Sequence, residues 1–230
     1  MGERGAGTQD RTRSLMGESA FMKKENISDA VIRRLPRYYR QLTVLARHGV
    51  TRVSSRSLGA EMGITASQIR QDFSCFGEFG QQGYGYHVED LRKEIGHILG
   101  VDLGHHLILV GAGHLGHALL QSFPFAATGF TVDAAFDIDQ AVIGTEVNGV
   151  PVRAVSEIAG HWAEHPADVV ALTIPQSVAQ ATADRLVELG ARGFWNFTNL
   201  ELTSSCPDVK FENIHFSDSL LTLSYRISHP

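Results

Sequence analysis

Residues 107–116 read Leu-Ile-Leu-Val-Gly-Ala-Gly-His-Leu-Gly, and no other stretch constrains the fold of this chain as strongly. An apolar run of one strand's length meets a glycine triplet and then opens a helical pattern, the context in which such a triplet binds a dinucleotide. Gly111 permits the tight turn, Gly113 lets the backbone approach a pyrophosphate, and Gly116 lets the helix pack close to the sheet. Ala112, His114 and Leu115 fill the remaining positions of the cradle, where the helix N-terminus faces phosphate charge. Asp137 closes the next expected strand, 26 residues after Gly111, with Ile138 beside it. Its carboxylate can accept from adenosine ribose hydroxyls and would repel a 2′-phosphate, which favours NAD(H) over NADP(H).

The rest of the back half alternates in the same manner. Strands are expected at 106–111, 131–137, 168–173 and 193–196, with a last one at 210–214. Helices are expected at 115–123, 156–163 and 177–189. This alternation predicts an α/β fold with a mostly parallel sheet and crossover helices. Thr173 and Pro175 end one strand, and Asn196 and Thr198 end another. Ligands of such sheets sit outside the carboxyl ends of the strands, so these four are candidate pocket residues. The alternative is that Pro175 merely breaks a strand and the asparagines satisfy a turn. Residues 217–228 form an apolar segment with Leu220, Leu221, Leu223 and Tyr225, either a core helix or a piece that packs on a partner subunit.

The front half reads differently, as short helices. Ser28 can cap a first helix towards Arg47, with Pro36 marking an offset or a new start. Ser54 or Ser55 can cap a second helix that Gly63 stops, and Thr65 can cap a third. Two helices joined by a tight glycine turn form a helix-turn-helix, whose second member enters the major groove. Ser67, Gln68, Arg70 and Gln71 occupy the polar face of that third helix. The glycine-punctuated stretch 77–86, with Gln82 at its tip, suits a hairpin wing. Arg33, Arg37, Arg40, Ser54 and Arg56 are candidate phosphate contacts, which position a protein on DNA without specifying sequence.

The whole chain carries a net charge of −5, which on its own disfavours a nucleic-acid partner. The charge is divided unevenly. Residues 22–100 hold twelve basic and eight acidic side chains, while residues 101–230 hold five and fourteen. A basic front and an acidic back suggest two domains with different partners. The expected division is a disordered leader over 1–24, a winged-helix domain over 25–100, a Rossmann domain over 101–214 and a C-terminal helix over 215–230. Two cysteines, Cys75 and Cys206, cannot build a disulfide scaffold. No apolar run is long enough to span a bilayer, so a soluble cytoplasmic protein without a membrane partner is expected. No metal cluster is expected from His105, His106, His114 and His117, and no general acid–base pair stands out as catalytic.

Taken in order, these strings resemble the Rex family of redox-sensing transcriptional repressors. The resemblance rests on Arg34-Leu-Pro-Arg-Tyr-Tyr-Arg-Gln-Leu42, Ser54-Ser-Arg-Ser-Leu-Gly59 and the run from Ile64 to Gly77, Ile-Thr-Ala-Ser-Gln-Ile-Arg-Gln-Asp-Phe-Ser-Cys-Phe-Gly. Phe79-Gly-Gln-Gln-Gly-Tyr-Gly-Tyr86, the glycine triplet, Phe136-Asp-Ile-Asp139 and Asn196-Phe-Thr-Asn199 continue it. The family resemblance implies a homodimer of winged helices and Rossmann domains with the last helix exchanged between subunits. It implies repression from palindromic double-stranded operators, release by NADH and competition by NAD+. Tyr86 would then respond to the nicotinamide state. The chain departs from the family where the wing carries Gln81-Gln82 and where Ile214-His215 stands in place of a hydrophobic residue and Asp. Either His215 or Asp218 substitutes for that Asp in the switch, or the switch is altered. The rival readings are a small NAD-dependent oxidoreductase with an N-terminal helical domain, and a scaffold whose Rossmann unit only dimerises.

Overall fold

The computed structural model describes residues 27–76 and 84–229. The chain forms two compact units that divide between Leu99 and Gly100. The expected leader, the centre of the expected wing and Gln82 lie outside the described residues.

The front unit begins with α1 (Asp29–Ile32) and α2 (Leu35–Arg47), with Pro36 in the first turn of α2, where its missing N–H costs nothing. Leu35, Tyr38, Leu42 and Leu45 recur at three- and four-residue spacing on α2 and are all buried. β1 (Arg52–Val53) leads into α3 (Ser55–Met62). Ser54 is its cap, accepting at Oγ from the Ser57 N–H at 3.0 Å. Gly63 ends α3 at φ +67°, a conformation that glycine adopts without strain. The following turn runs so close to α3 that a Cβ on Gly59 would lie 2.3 Å from the Ile64 carbonyl oxygen. Thr65 then caps α4 (Ala66–Ser74) through the Gln68 N–H. β2 (Tyr86–His87) pairs antiparallel with β1, and α5 (Val88–Ile98) closes the unit. Its core joins α2, Ile69 and Phe73 of α4, and Val88, Leu91 and Ile95 of α5.

The back unit is a seven-stranded sheet. Its strands are β3 (His105–Val110), β4 (Phe130–Asp137), β5 (Glu146–Val147), β6 (Val150–Ala154), β7 (Val169–Leu172), β8 (Gly193–Asn196) and β9 (Lys210–Asn213). The spatial order is β5-β6-β4-β3-β7-β8-β9, and every pairing is parallel except β5 with β6. The helices are α6 (His114–Ser122), α7 (Ile158–Glu164), α8 (Gln176–Glu188) and α9 (Phe216–Ser228). Strand residues alternate between two layers, as the two-residue period of a strand requires. Ile108, Val110, Phe136, Val170 and Leu172 pack with α7 and α8, while Leu107, Leu109, Ala135 and Ala171 pack with Leu120 of α6. The order reverses on either side of β3, so the topological switch point lies where β3 and β7 end, the position at which such sheets bind ligands.

The hairpin of β5 and β6 is absent from the sequence expectation. Its turn is Asn148-Gly149, both at positive φ, the pair that a two-residue hairpin favours. The 3₁₀ turn Val155–Glu157 also separates the expected helix at 156–163 from its true start at Ile158.

Candidate nucleotide and nucleic-acid sites

The three glycines at the end of β3 divide the work between them. Gly111 has φ +102°, and a Cβ there would lie 2.7 Å from the Thr173 carbonyl oxygen. On Gly116 a Cβ would lie 1.9 Å from the Gly111 carbonyl oxygen. Around Gly113 nothing lies within 4 Å of such an atom. The first and third glycines therefore fit the chain to itself, and the middle one leaves open space in front of the helix. Gly113 caps α6 with no side-chain hydrogen bond, so the first N–H groups of that helix, from His114 and Leu115, point outward with no side-chain cap. An uncapped helix start beside open backbone is an anion cradle, and it fits a pyrophosphate.

Asp137 stands at the end of β4, next to this cradle. Its Oδ2 accepts from the Ala112 N–H at 2.6 Å, and its Oδ1 accepts from Ile138 and Asp139 at 2.7 and 2.9 Å. A carboxylate offers about four acceptor directions, so one remains for a ligand hydroxyl. Asp137 thus ties the glycine turn to β4. Ile138 is 82% exposed beside it, an apolar surface at the mouth.

The other candidates are placed less directly. Thr173 donates from Oγ1 to the Gly111 carbonyl oxygen at 2.6 Å, which holds the turn from the β7 side. Pro175 is exposed at the start of α8. Asn196 is buried, and its amide is saturated by its own protein. It donates to the Leu200 carbonyl at 2.7 Å and to Asn213 Oδ1 at 2.8 Å, and it accepts from the N–H and hydroxyl of Thr198. Of the two alternatives for Asn196 and Thr198, this geometry suits the turn-holding one. Tyr86 also occupies a core place. It is 8% exposed, its ring meets Phe73 edge-on at 5.3 Å, and burial pushes its phenol pKa up. A ring so packed is not poised to swing, so the response expected of Tyr86 would require the front-unit core to move. His215 pairs with Glu201 at 2.9 Å, and Asp218 lies in the first turn of α9.

On the front unit, Arg33, Arg37, Arg40, Ser54, Arg56, Ser67, Arg70 and Gln71 are exposed. Arg70 donates to Ser55 Oγ at 3.1 Å and Arg37 to the Met62 carbonyl at 3.1 Å, so both tie neighbouring helices together while keeping their charge at the surface. Arg33 pairs with Asp29 at the surface, a contact worth little and readily exchanged for a phosphate.

The constellation that sequence reasoning missed lies beneath α4. Asp72 is fully buried and its carboxylate receives four hydrogen bonds. Arg34 donates from Nε at 2.7 Å and from Nη2 at 2.8 Å, the Tyr38 hydroxyl at 2.7 Å, and Gln68 Nε2 at 2.8 Å. Burial drives this carboxyl upward, and the donors Arg34, Tyr38 and Gln68 more than offset it, so the group lies below the ordinary carboxylate range. The network joins α2 to α4 and fixes the angle at which α4 is presented. Arg34 and Tyr38 lie four apart, as do Gln68 and Asp72, but nothing local says that the two pairs meet.

Comparison with known proteins separates the two units in the same way. The family described as "Putative DNA-binding protein N-terminus" matches residues 26–74, and the "CoA binding domain" family matches residues 102–200. The Redox-sensing transcriptional repressor Rex of Clostridium beijerinckii is 45% identical over 207 residues, covering 90% of this chain and 97% of the relative. That of Thermoanaerobacter pseudethanolicus is 46% identical over 206 residues, covering 90% and 92%. The chain belongs to the Rex family. RSP, a Rex-family repressor solved in complex with β-NAD+ and operator DNA, superimposes with a TM-score of 0.82 at 46% identity, covering 89% of this chain and 94% of RSP. The same protein in complex with β-NADH gives 0.82 at 44% identity. The near relatives of this Rex-family chain are therefore named repressors and not oxidoreductases, which removes the enzyme reading. Among the described residues no three His, Cys, Asp or Glu side chains are placed to hold a metal, and no helix is long and apolar enough to cross a membrane.

Proposed function

We propose that this chain is a cytoplasmic, homodimeric repressor that binds palindromic operator DNA and leaves it when NADH occupies the cradle at Gly113. The observation that carries this reading is the likeness, over almost the whole chain, to a repressor solved with β-NAD+ and operator DNA and again with β-NADH. The geometry supplies the parts. The open backbone at Gly113 and the uncapped start of α6 hold the pyrophosphate, and the last acceptor direction of Asp137 takes a ribose hydroxyl, with Ile138 against the adenine. Thr173, Asn196 and Thr198 hold the turns that frame the pocket.

The homodimer is supported by α9. Leu220, Leu221, Leu223, Tyr225 and Ile227 are 54–72% exposed, and no residue of α9 is buried. Burying a side chain of this kind stabilises by about 1.5–3 kcal/mol, so a helix that leaves five in water lacks its partner surface. Exchange with a second copy covers both helices at once.

Release by NADH requires two arrangements of the dimer with different affinity for NADH. Operator binding is measured by fluorescence anisotropy at fixed salt, with duplexes selected from a randomised pool, while NADH and NAD+ are titrated separately and in competition. NADH is expected to release the protein, and NAD+ to displace NADH and restore binding. Equal operator affinity with NADH, with NAD+ and with neither refutes the reading.

A further inference from the structure

The second helix of a helix-turn-helix reads bases with the residues of its first turns. Gln68 is the third residue of α4, half-buried, with its amide nitrogen already bound to Asp72 at 2.8 Å. A glutamine amide normally has two orientations that differ by exchange of oxygen and nitrogen. Here one of them is barred. The Asp72 carboxylate only accepts, and its remaining directions are filled by Arg34 and Tyr38. Turning the Gln68 carbonyl inward would set oxygen against oxygen in a site closed to solvent. The nitrogen must face inward, and the edge left outside is the carbonyl oxygen with the second N–H beside it.

That edge is a matched pair for adenine, accepting from N6 and donating to N7 in the major groove. The flipped amide would set an N–H where that oxygen stands, a donor that opposes N6 of adenine and pairs with O6 of guanine. We infer that Asp72 is a positioning residue for base selection: it locks Gln68 in the adenine-reading orientation and excludes the guanine-reading one. Arg34 and Tyr38 serve the same end by saturating the carboxylate and holding it in place. Fixing the side chain before DNA arrives also removes part of the ordering cost of binding. The inference rests on the DNA-binding reading above and adds which base the third residue of α4 selects.

The test uses duplexes selected from a randomised pool by the unmodified protein, then altered one base pair at a time and compared at fixed salt. Gln68→Ala identifies the contacted position, where adenine preference is expected to fall about tenfold. Asp72→Asn, whose amide can accept either orientation of Gln68, is expected to cut adenine-over-guanine preference at that same position by about tenfold while leaving preferences elsewhere unchanged. In the Gln68→Ala background Asp72→Asn is expected to shift no preference. A loss spread evenly over every duplex, or the same specificity change without Gln68, overturns the inference. Failure of the unmodified protein to prefer any duplex refutes the DNA-binding reading, and the inference falls with it.

A second measurement stands even where Asp72→Asn does not fold. The side-chain amide resonance of Gln68, identified by its loss in Gln68→Ala, is expected in DNA-free protein as two well-separated protons, the one bound to Asp72 protected from exchange with water and the outer one not. Ordinary free-glutamine shifts with fast exchange at both protons overturn the inference.

Discussion

Substituting alanine at Gly113 and at Gly116 separates binding from stability, because the two positions differ in one respect, the space in front of the α-carbon. At Gly116 the added Cβ meets the Gly111 carbonyl oxygen at 1.9 Å, far inside any real contact, and the Thr173 hydroxyl at 2.9 Å. Either α6 or the glycine turn must shift, and overpacking of this kind costs about 1–3 kcal/mol. At Gly113 the Cβ meets nothing, and φ is −65°, open to any residue. Its effect on stability is expected within about 0.5 kcal/mol, since a smaller unfolded ensemble and a poorer helix cap roughly cancel. On the proposed reading the methyl occupies the place where a pyrophosphate approaches the backbone. Losing one or two charge-assisted hydrogen bonds, each about 1.5–3 kcal/mol, weakens nucleotide binding by one to several powers of ten. Thermal unfolding and NADH titration by fluorescence, run on both variants, read the two effects separately. Gly116→Ala should lower the melting temperature of the back unit by roughly 3–10 °C. Gly113→Ala should leave melting nearly unchanged and abolish tight NADH binding. The reverse pattern, a destabilised Gly113→Ala that binds NADH normally, refutes the assignment of the cradle.

Three further outcomes follow from the geometry. Asp72 has a folded-state pKa below its unfolded value, so its contribution to stability is present above about pH 4 and is lost as pH falls through the folded pKa; Asp72→Asn should flatten that acid-side loss in a denaturation series. His161 is buried against Phe136 with neither ring nitrogen hydrogen-bonded, and burial, aided by Arg153 and His165, lowers its pKa. Above its unfolded pKa of about 6.5 the ring is neutral in both states and costs only its unpaired nitrogens, while below that pH its titration also opposes folding, so His161→Phe should raise stability by about 1 kcal/mol at pH 7 and by more at pH 5, measured by urea unfolding. Leu221→Asp combined with Tyr225→Asp should shift the protein from dimer to monomer in sedimentation; an unchanged dimer contradicts exchange of α9.

The elements that carry their own signals were legible in the sequence. β3 and its glycines, the caps at Ser54 and Thr65, the stop at Gly63 and the strand at Gly193–Asn196 each rest on local chemistry that a reader of residues can see. The β5–β6 hairpin had its signal in Asn148-Gly149, but Pro151 counts against a strand. The structure tolerates it because β6 meets a two-residue edge strand there, where Pro151 sits opposite Glu146. The Asp72 network was not legible. Its two halves lie more than thirty residues apart, and an aspartate on a polar helix reads as solvated until packing closes over it. Asn196 illustrates the converse. Its position at a strand end was right for a ligand residue, yet its amide is consumed by Leu200, Asn213 and Thr198.

The central claim is that nucleotide and operator act on one equilibrium, and linkage tests it from the nucleotide side. NADH affinity is measured by calorimetry on the protein alone and on the protein saturated with a selected operator duplex, at one salt concentration. The factor by which operator weakens NADH binding must equal the factor by which NADH weakens operator binding, with each expected at about 5- to 150-fold. The same NADH affinity with and without operator contradicts the account.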